Sequence, residues 1–335
     1  MYHKIYKSIE KRWDTIAKPI DGLGKFEKIV CKIGAIKGSI NFSLDKKILV
    51  VFCSDNGVVE EGVTQVGSHI TSLVCGNIAK GIATSSKMAK SLGVDCISVD
   101  VGISGDTKAS IDKKIDIGTK NLAKEKAMSI TNVKRAIEVG IEMVAYVKNQ
   151  GYDIMAVGEM GIGNTTTAAC CASVILDKDA SLVAGRGSGL TDDKLAKKID
   201  VINKAIAFHK PNKNDAYDII SKVGGFDIAA MTGAYIGGKI YGVPIVVDGA
   251  ISQVALLLAR LIEEDITKYA IASHIGKENL SKLAIEELKI DTVIDADLAL
   301  GEGTGAIMLF PLLDSVIAVY NNKTFADLNI ESYKR

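Results

Sequence analysis

No stretch of this chain is both long and apolar enough to cross a bilayer. The longest run without a charged residue, Met160 to Leu176, contains Asn164 and three threonines. It is shorter and more polar than the roughly 20 apolar residues that a spanning helix needs. A leader is missing too: Met1 to Glu10 holds His3, Lys4 and Lys7 but no apolar segment, so no export is expected. Charge of one sign is not in excess. The net charge of +1 supplies no basic face for nucleic acid or for an anionic membrane. The cysteines (Cys31, Cys53, Cys75, Cys96, Cys170, Cys171) show no C-x-x-C spacing, and several sit inside apolar runs. They read as reduced core thiols of a cytoplasmic protein, neither a disulfide framework nor a metal site. Of the four histidines, His3 and His209 read as surface residues; His69 and His274 lie nearer to candidate site segments.

What the chain does have is glycine, 32 residues in 335, recurring in clusters. The length suits roughly two domains, or one large α/β domain with an appendage. One pattern returns repeatedly: a short β-rich run, a polar or glycine-rich turn, then a segment of helical period. Ile48 to Cys53 stops at Ser54-Asp55-Asn56-Gly57, and "VDCISVDVG" stops near Asp100. "YDIMAVGEMG" stops at Glu159, "VPIVVDGA" at Asp248 and "YAIASHIG" at His274. Between two of them, Val133, Ile137, Ile141 and Val144 recur at the spacing of an amphipathic helix. Unalternating apolar strands separated by helices indicate a parallel sheet with helices on both faces. Ligands bind such sheets at the carboxyl ends of the strands, where these acids and His274 fall. Residues 1–30 and 306–335 look helical and lack that rhythm. They are expected to form a small helical domain beside a large α/β catalytic domain, residues 31–305.

Two glycine-rich segments carry the chemistry. "GEMGIGNTTTAA", Gly158 to Ala169, follows a strand over Asp153 to Val157 and precedes an alanine-rich helix over Thr165 to Leu176. Helix-terminal N–H groups, glycines and threonine hydroxyls together make a cradle for an anion. The alternative is a structural turn into a buried helix. No lysine follows as in a Walker A loop, and "GRGSGL", Gly185 to Leu190, lacks the dinucleotide fingerprint of a dehydrogenase. The two turns on one sheet, with Lys198 one helix further on, point to a mononucleotide phosphate. The second segment, "ALGEGTGA", sets Glu302 between Gly301 and Gly303. That glutamate is either a carboxylate satisfied by a helix terminus or a general base in a tight pocket.

These segments occur in order with "KPIDGLGKFE" (18–27), "VVFCSDNGVVEEGV" (50–63), "GGFDIAAMTGA" (224–234), "VVDGAIS" (246–252), "ASHIGKE" (272–278) and "TFADL" (324–328). Together they resemble the nicotinate-nucleotide:dimethylbenzimidazole phosphoribosyltransferase family of cobamide synthesis, nearly end to end. The resemblance implies a Rossmann-like parallel sheet, a small three-helix domain from both termini, and a dimer of like or unlike chains. It implies transfer of the phosphoribosyl group of nicotinate mononucleotide to a small aromatic base, with no cofactor and no metal. Carried onto this chain, the donor's phosphate and ribose would rest on Gly161, Gly163, Asn164, Thr165, Thr166, Gly185, Arg186, Gly187, Ser188, Lys198, Gly301 and Gly303. Glu302 would be the general base, with Glu159 orienting the ribose or stabilising charge. The acceptor would lie among Asp55, Gln65, Ser68, His69, Leu73 and Met160.

The chain departs from the family pattern in places. Asn56 stands where the family usually has histidine, Gly67 where it has proline, Leu73 where it has a glutamine, and Ala299 where it has an arginine. An apolar Leu73 in the acceptor wall would favour a less polar ring, so phenol or p-cresol stands beside a benzimidazole or purine as acceptor. A non-catalytic partner subunit is a further alternative, against which the retention of Glu302, Glu159 and the Gly/Thr turn argues.

Overall fold

The structure, a computed structural model, describes residues 1–334. The chain opens with two helices, α1 (Tyr2–Thr15) and α2 (Lys25–Lys37), before β1 (Lys47–Ser54). Then come α3 (His69–Ala79), α4 (Thr84–Ser91), β2 (Asp95–Gly102), β3 (Ile111–Asp112), α5 (Ile130–Asn149) and β4 (Ile154–Met160). A run of helices follows: α6 (Asn164–Leu176), α7 (Ala180–Val183), α8 (Asp192–His209), α9 (Ala216–Val223) and α10 (Phe226–Tyr241). The last third holds β5 (Ile245–Val247), α11 (Ala250–Ile262), β6 (Ala270–Ala272), β7 (His274–Gly276), α12 (Asn279–Leu288), β8 (Ile294–Leu298) and α13 (Thr304–Tyr320).

Six strands form one parallel sheet in the order β3-β2-β1-β4-β5-β6. The expected α/β fold is present, and its apolar strands are buried as read. Within β1 the side chains still alternate between faces. Ile48, Val50 and Phe52 enter one core with residues of α5, α6, α10 and α11. Leu49, Val51 and Cys53 enter the other, with residues of α1, α2, α3 and α13. Both faces are apolar because helices cover both. In the second core Trp13 packs on Tyr320 with ring centroids 5.0 Å apart, so both ends of the chain meet on one face of the sheet.

Two boundaries differ from the sequence reading. β4 runs on to Met160, so Glu159 is the penultimate residue of the strand and not the first residue of a turn. The run ending at His274 is two strands. Ser273 donates its N–H to Val247 O at 3.4 Å, while its carbonyl accepts from Val293 and Ile294 at 3.2 Å. The chain thereby leaves the main sheet at Ser273, and β7 pairs with β8 in a second, two-stranded sheet.

α5 and α10 pack with their backbones in contact. A methyl group added at Gly140 would collide with the Ala230 carbonyl, and one at Gly233 with the Ile137 carbonyl. Both glycines are there because nothing larger fits between the two helices.

Candidate active site

The sheet order reverses between β1 and β4, and a crevice opens beyond the carboxyl ends of the strands there. It holds a cavity of about 280 Å³, walled by residues of β4, the α6 turn, the Gly187 turn and the loop carrying Glu302. Four acids converge on it from separate elements.

Glu302 arrives from the loop before α13. Gly301, Glu302 and Gly303 take φ of 87°, 56° and 78°, three successive left-handed residues. Glycine adopts that geometry freely, but a glutamate there is strained by roughly 1–3 kcal/mol. The loop lies flat against β4, since a methyl at Gly158 would come within 2.6 Å of the Glu302 carbonyl carbon. Two contacts then aim the carboxylate: Ser85 Oγ donates to Glu302 Oε2 at 2.6 Å, and the Ser85 N–H donates to the same oxygen at 3.4 Å. Asp248, just past β5, holds the loop from behind by accepting from the Gly303 N–H at 3.2 Å and the Ala306 N–H at 2.9 Å.

Glu159 is buried beside Asp227, at the start of α10. The Asn164 side-chain amide donates to both carboxylates, to Asp227 Oδ2 at 2.8 Å. Burial pushes the Glu159 carboxyl well above the usual carboxylate range, and the Asp227 charge pushes the same way. Burial raises Asp227 as well, against the Asn164 bond. The pair therefore holds a proton more tightly than two separate carboxylates would. His274, buried above Asp248, is pushed towards its neutral form by the same desolvation.

The anion cradle has two turns. Gly163, at φ 94°, caps α6, and its carbonyl accepts the Thr166 N–H at 2.9 Å. Gly185 to Gly189 form the facing turn. Lys198 is wholly buried behind both, donating to Thr165 Oγ1 at 2.9 Å and to the Gly185 carbonyl at 3.0 Å. It ties the turns together and does not line the cavity itself. Burial lowers its amine to about 8, partly offset by Glu278. Glu278 is nearer the cradle still: its Oε1 accepts the Gly187 N–H at 3.2 Å.

Most of the sequence-derived residues are brought together here. Glu159, Met160, Gly161, Gly163, Asn164, Thr165, Arg186, Gly187, Ser188, Gly301 and Glu302 all line the cavity. Thr166, Gly185 and Gly303 support it from just behind the wall. Arg186 turns partly away, donating to the Leu190 carbonyl at 2.8 Å and pairing with Asp192.

The expected acceptor wall is different. Asp55 is buried and accepts from the Ser104 N–H at 2.8 Å and Oγ at 2.6 Å, so it clamps the loop after β2 instead of facing the cavity. Gln65 donates to the Gly189 carbonyl, Ser68 and His69 begin α3, and Leu73 is 55% exposed on that helix. None of these lines the cavity. The segment contributes Val63, Thr64 and Val66 in their place. Leu73 lies outside this cavity, on the exposed face of α3. Ser85 and Glu278 were not singled out from the sequence, and Asp248 was read only as a strand-end acid. Asp248 had a signal, its place at a strand end; "ATSSKMAK" around Ser85 has none.

A family model described as a phosphoribosyltransferase matches residues 1–330. A nicotinate-nucleotide–dimethylbenzimidazole phosphoribosyltransferase of Acetivibrio thermocellus is 39% identical over 337 residues, spanning 100% of this chain and 96% of its own. The chain belongs to this phosphoribosyltransferase family. An enzyme of the same name from Clostridium perfringens is 40% identical over 96% of this chain and 90% of its own. The crystal structure of CobT from Thermus thermophilus superposes with a TM-score of 0.92 at 30% identity, covering 98% of this chain and 99% of that one. Among the described residues no helix is long and apolar enough to cross a membrane.

Proposed function

We propose that the chain moves the 5-phosphoribosyl group of nicotinate mononucleotide to 5,6-dimethylbenzimidazole or a similar base, releasing nicotinate and forming an α-ribotide. One observation carries this: an anion cradle of two glycine turns and a carboxylate aimed by Ser85 open into the same cavity. The donor's phosphate rests on the amides and hydroxyls of the Gly161 to Thr166 turn, with Lys198 supplying the charge behind it. Glu159 orients a ribose hydroxyl. The acceptor's ring nitrogen attacks C1′ as the bond to the pyridinium nitrogen breaks, and Glu302 takes the acceptor's N–H proton. The pyridinium leaves as a neutral ring, so no general acid is needed at the leaving group. The relatives' names and the shape of the cavity support this reading. A dimer, of one chain or of unlike chains, is part of the same proposal.

The test is nicotinate release from nicotinate mononucleotide by the purified chain, with 5,6-dimethylbenzimidazole, adenine, phenol and p-cresol in separate reactions. Release with dimethylbenzimidazole that is lost in Glu302→Gln supports the proposal. Donor binding without release for any acceptor would sink it in favour of a subunit that is silent alone. Preference for phenol would move the acceptor class.

A further inference from the structure

A second cavity, of about 270 Å³, shares no lining residue with the first. It lies between α1, α2, the strand β6 at the sheet's edge, and the turn after α12. Five lysines border it, Lys25, Lys28, Lys32, Lys268 and Lys289, against a single acid, Asp291. Two of the five are engaged. Lys25 donates to the Thr292 carbonyl at 3.0 Å and stands 3.6 Å from Asp291, and Lys268 pairs with Asp265 at 2.6 Å. Among the described residues, the side-chain amines of Lys28, Lys32 and Lys289 make no hydrogen bond and no ion pair.

Lys28 and Lys289 are exposed, and water suffices for them. Lys32 is not: it is half-buried in the cavity wall. A cation drawn out of water without a partner is destabilising, and such groups are normally paired. Burial lowers the Lys32 amine to about 8, and distant Asp291 offsets this only in part. An anion in the cavity would supply the missing partner.

The remaining walls describe the rest of the ligand. Tyr2 and Tyr6 present stacked rings with centroids 6.3 Å apart, and Ile29, Ile271 and Ile290 add apolar surface. The Tyr2 hydroxyl is held by the Lys268 carbonyl at 2.9 Å, which fixes its ring. The volume lies just below the usual range for ligand sites, which admits a single ring and excludes a dinucleotide. We propose that this cavity binds a small organic anion, one planar ring bearing a carboxylate or phosphate, with its charge on Lys32 and its ring against Tyr2 and Tyr6.

Calorimetric titration of the full chain with benzoate, phenyl phosphate and inorganic phosphate tests this. Saturable binding of a ring-bearing anion, weakened at least tenfold in Lys32→Met and unchanged in Lys198→Met, is the expected result. Whichever of benzoate and phenyl phosphate binds tighter identifies the charged group. Lys32→Met keeps the side-chain length and removes a half-buried charge, so the fold should hold. If it does not, Lys289→Ala at the surface should weaken binding about threefold. No saturable binding of either ring-bearing probe overturns the proposal. So does binding that survives the Lys32 and Lys289 changes or is lost in Lys198→Met. Inorganic phosphate binding as tightly as phenyl phosphate overturns it too, because the rings would then contribute nothing.

Discussion

Two regions of this molecule depend on glycine for opposite reasons. In the seam between α5 and α10, Gly140 and Gly233 have ordinary helical backbones, and what matters is the absent side chain. In the loop before α13, Gly301 and Gly303 have left-handed backbones, and what matters is the dihedral angle. The seam holds no charge and joins two helices into one core. The loop sets one strained glutamate among polar groups. Glycine in the first region serves stability; in the second it serves the placement of a reactive group. The two should therefore fail differently.

Glu302→Gln keeps the shape of the loop and removes the base. The transfer rate should fall by about 10²–10⁴-fold with the melting temperature nearly unchanged. A variant that retains near-normal turnover would show that the strain serves something else. Gly233→Ala should do the reverse. Overpacking against a backbone carbonyl costs typically about 1–3 kcal/mol, and here the collision is direct, so chemical denaturation should show a loss at or above the upper end. The folded fraction should keep its kcat; a seam variant that stays stable but loses kcat would erase the distinction.

Smaller effects sharpen it. Ser85→Ala removes the shorter of the two hydrogen bonds that aim Glu302, the one from Oγ, and leaves the 3.4 Å bond from the backbone N–H. Bonds to a charged group are worth about 1.5–3 kcal/mol, which predicts a fall in kcat of roughly ten- to a hundredfold. KM for the donor should stay put, and Ser85→Thr should recover most of the rate. A purely structural serine would instead lower the melting temperature and leave kcat of the folded enzyme alone. The last prediction concerns pH. Lys198 sits near 8, and an anion binds best when the amine is protonated. Donor affinity should therefore be steady below about pH 8 and weaken above it, by at most tenfold per unit. Measuring the dissociation constant of nicotinate mononucleotide from pH 7 to 9.5 checks this, and Lys198→Met should flatten the profile. A wild-type curve that is already flat removes Lys198 from donor binding.

How much of this was legible follows from the same contrast. The sheet was readable because buried parallel strands are continuous apolar runs, as in Ile48 to Cys53, and α5 was readable from its helical period. The glycine turns and the Glu302 loop were readable because left-handed backbone requires glycine at fixed places. What escaped were long-range placements. Nothing local says that Ser85 meets a residue 217 positions away, or that Ser273 passes the chain from one sheet to another. The acceptor residues other than Met160 fall outside the cavity for a related reason. They were carried over from a family pattern, and α3 in this chain turns Leu73 to solvent.

Glu278 has a consequence for traffic through the site. Its carboxylate is bonded to the Gly187 turn, where the proposed donor phosphate would come to rest. It thus occupies an N–H that an incoming anion would need, and does so without ever diffusing away. A weakly held anion such as free phosphate, meeting that carboxylate, is turned away; a nucleotide with further contacts displaces it. The same bond is free to re-form once the product has left. The displacement weakens donor and transition state alike relative to the free enzyme, so it raises KM and leaves the step from bound donor to transition state unchanged.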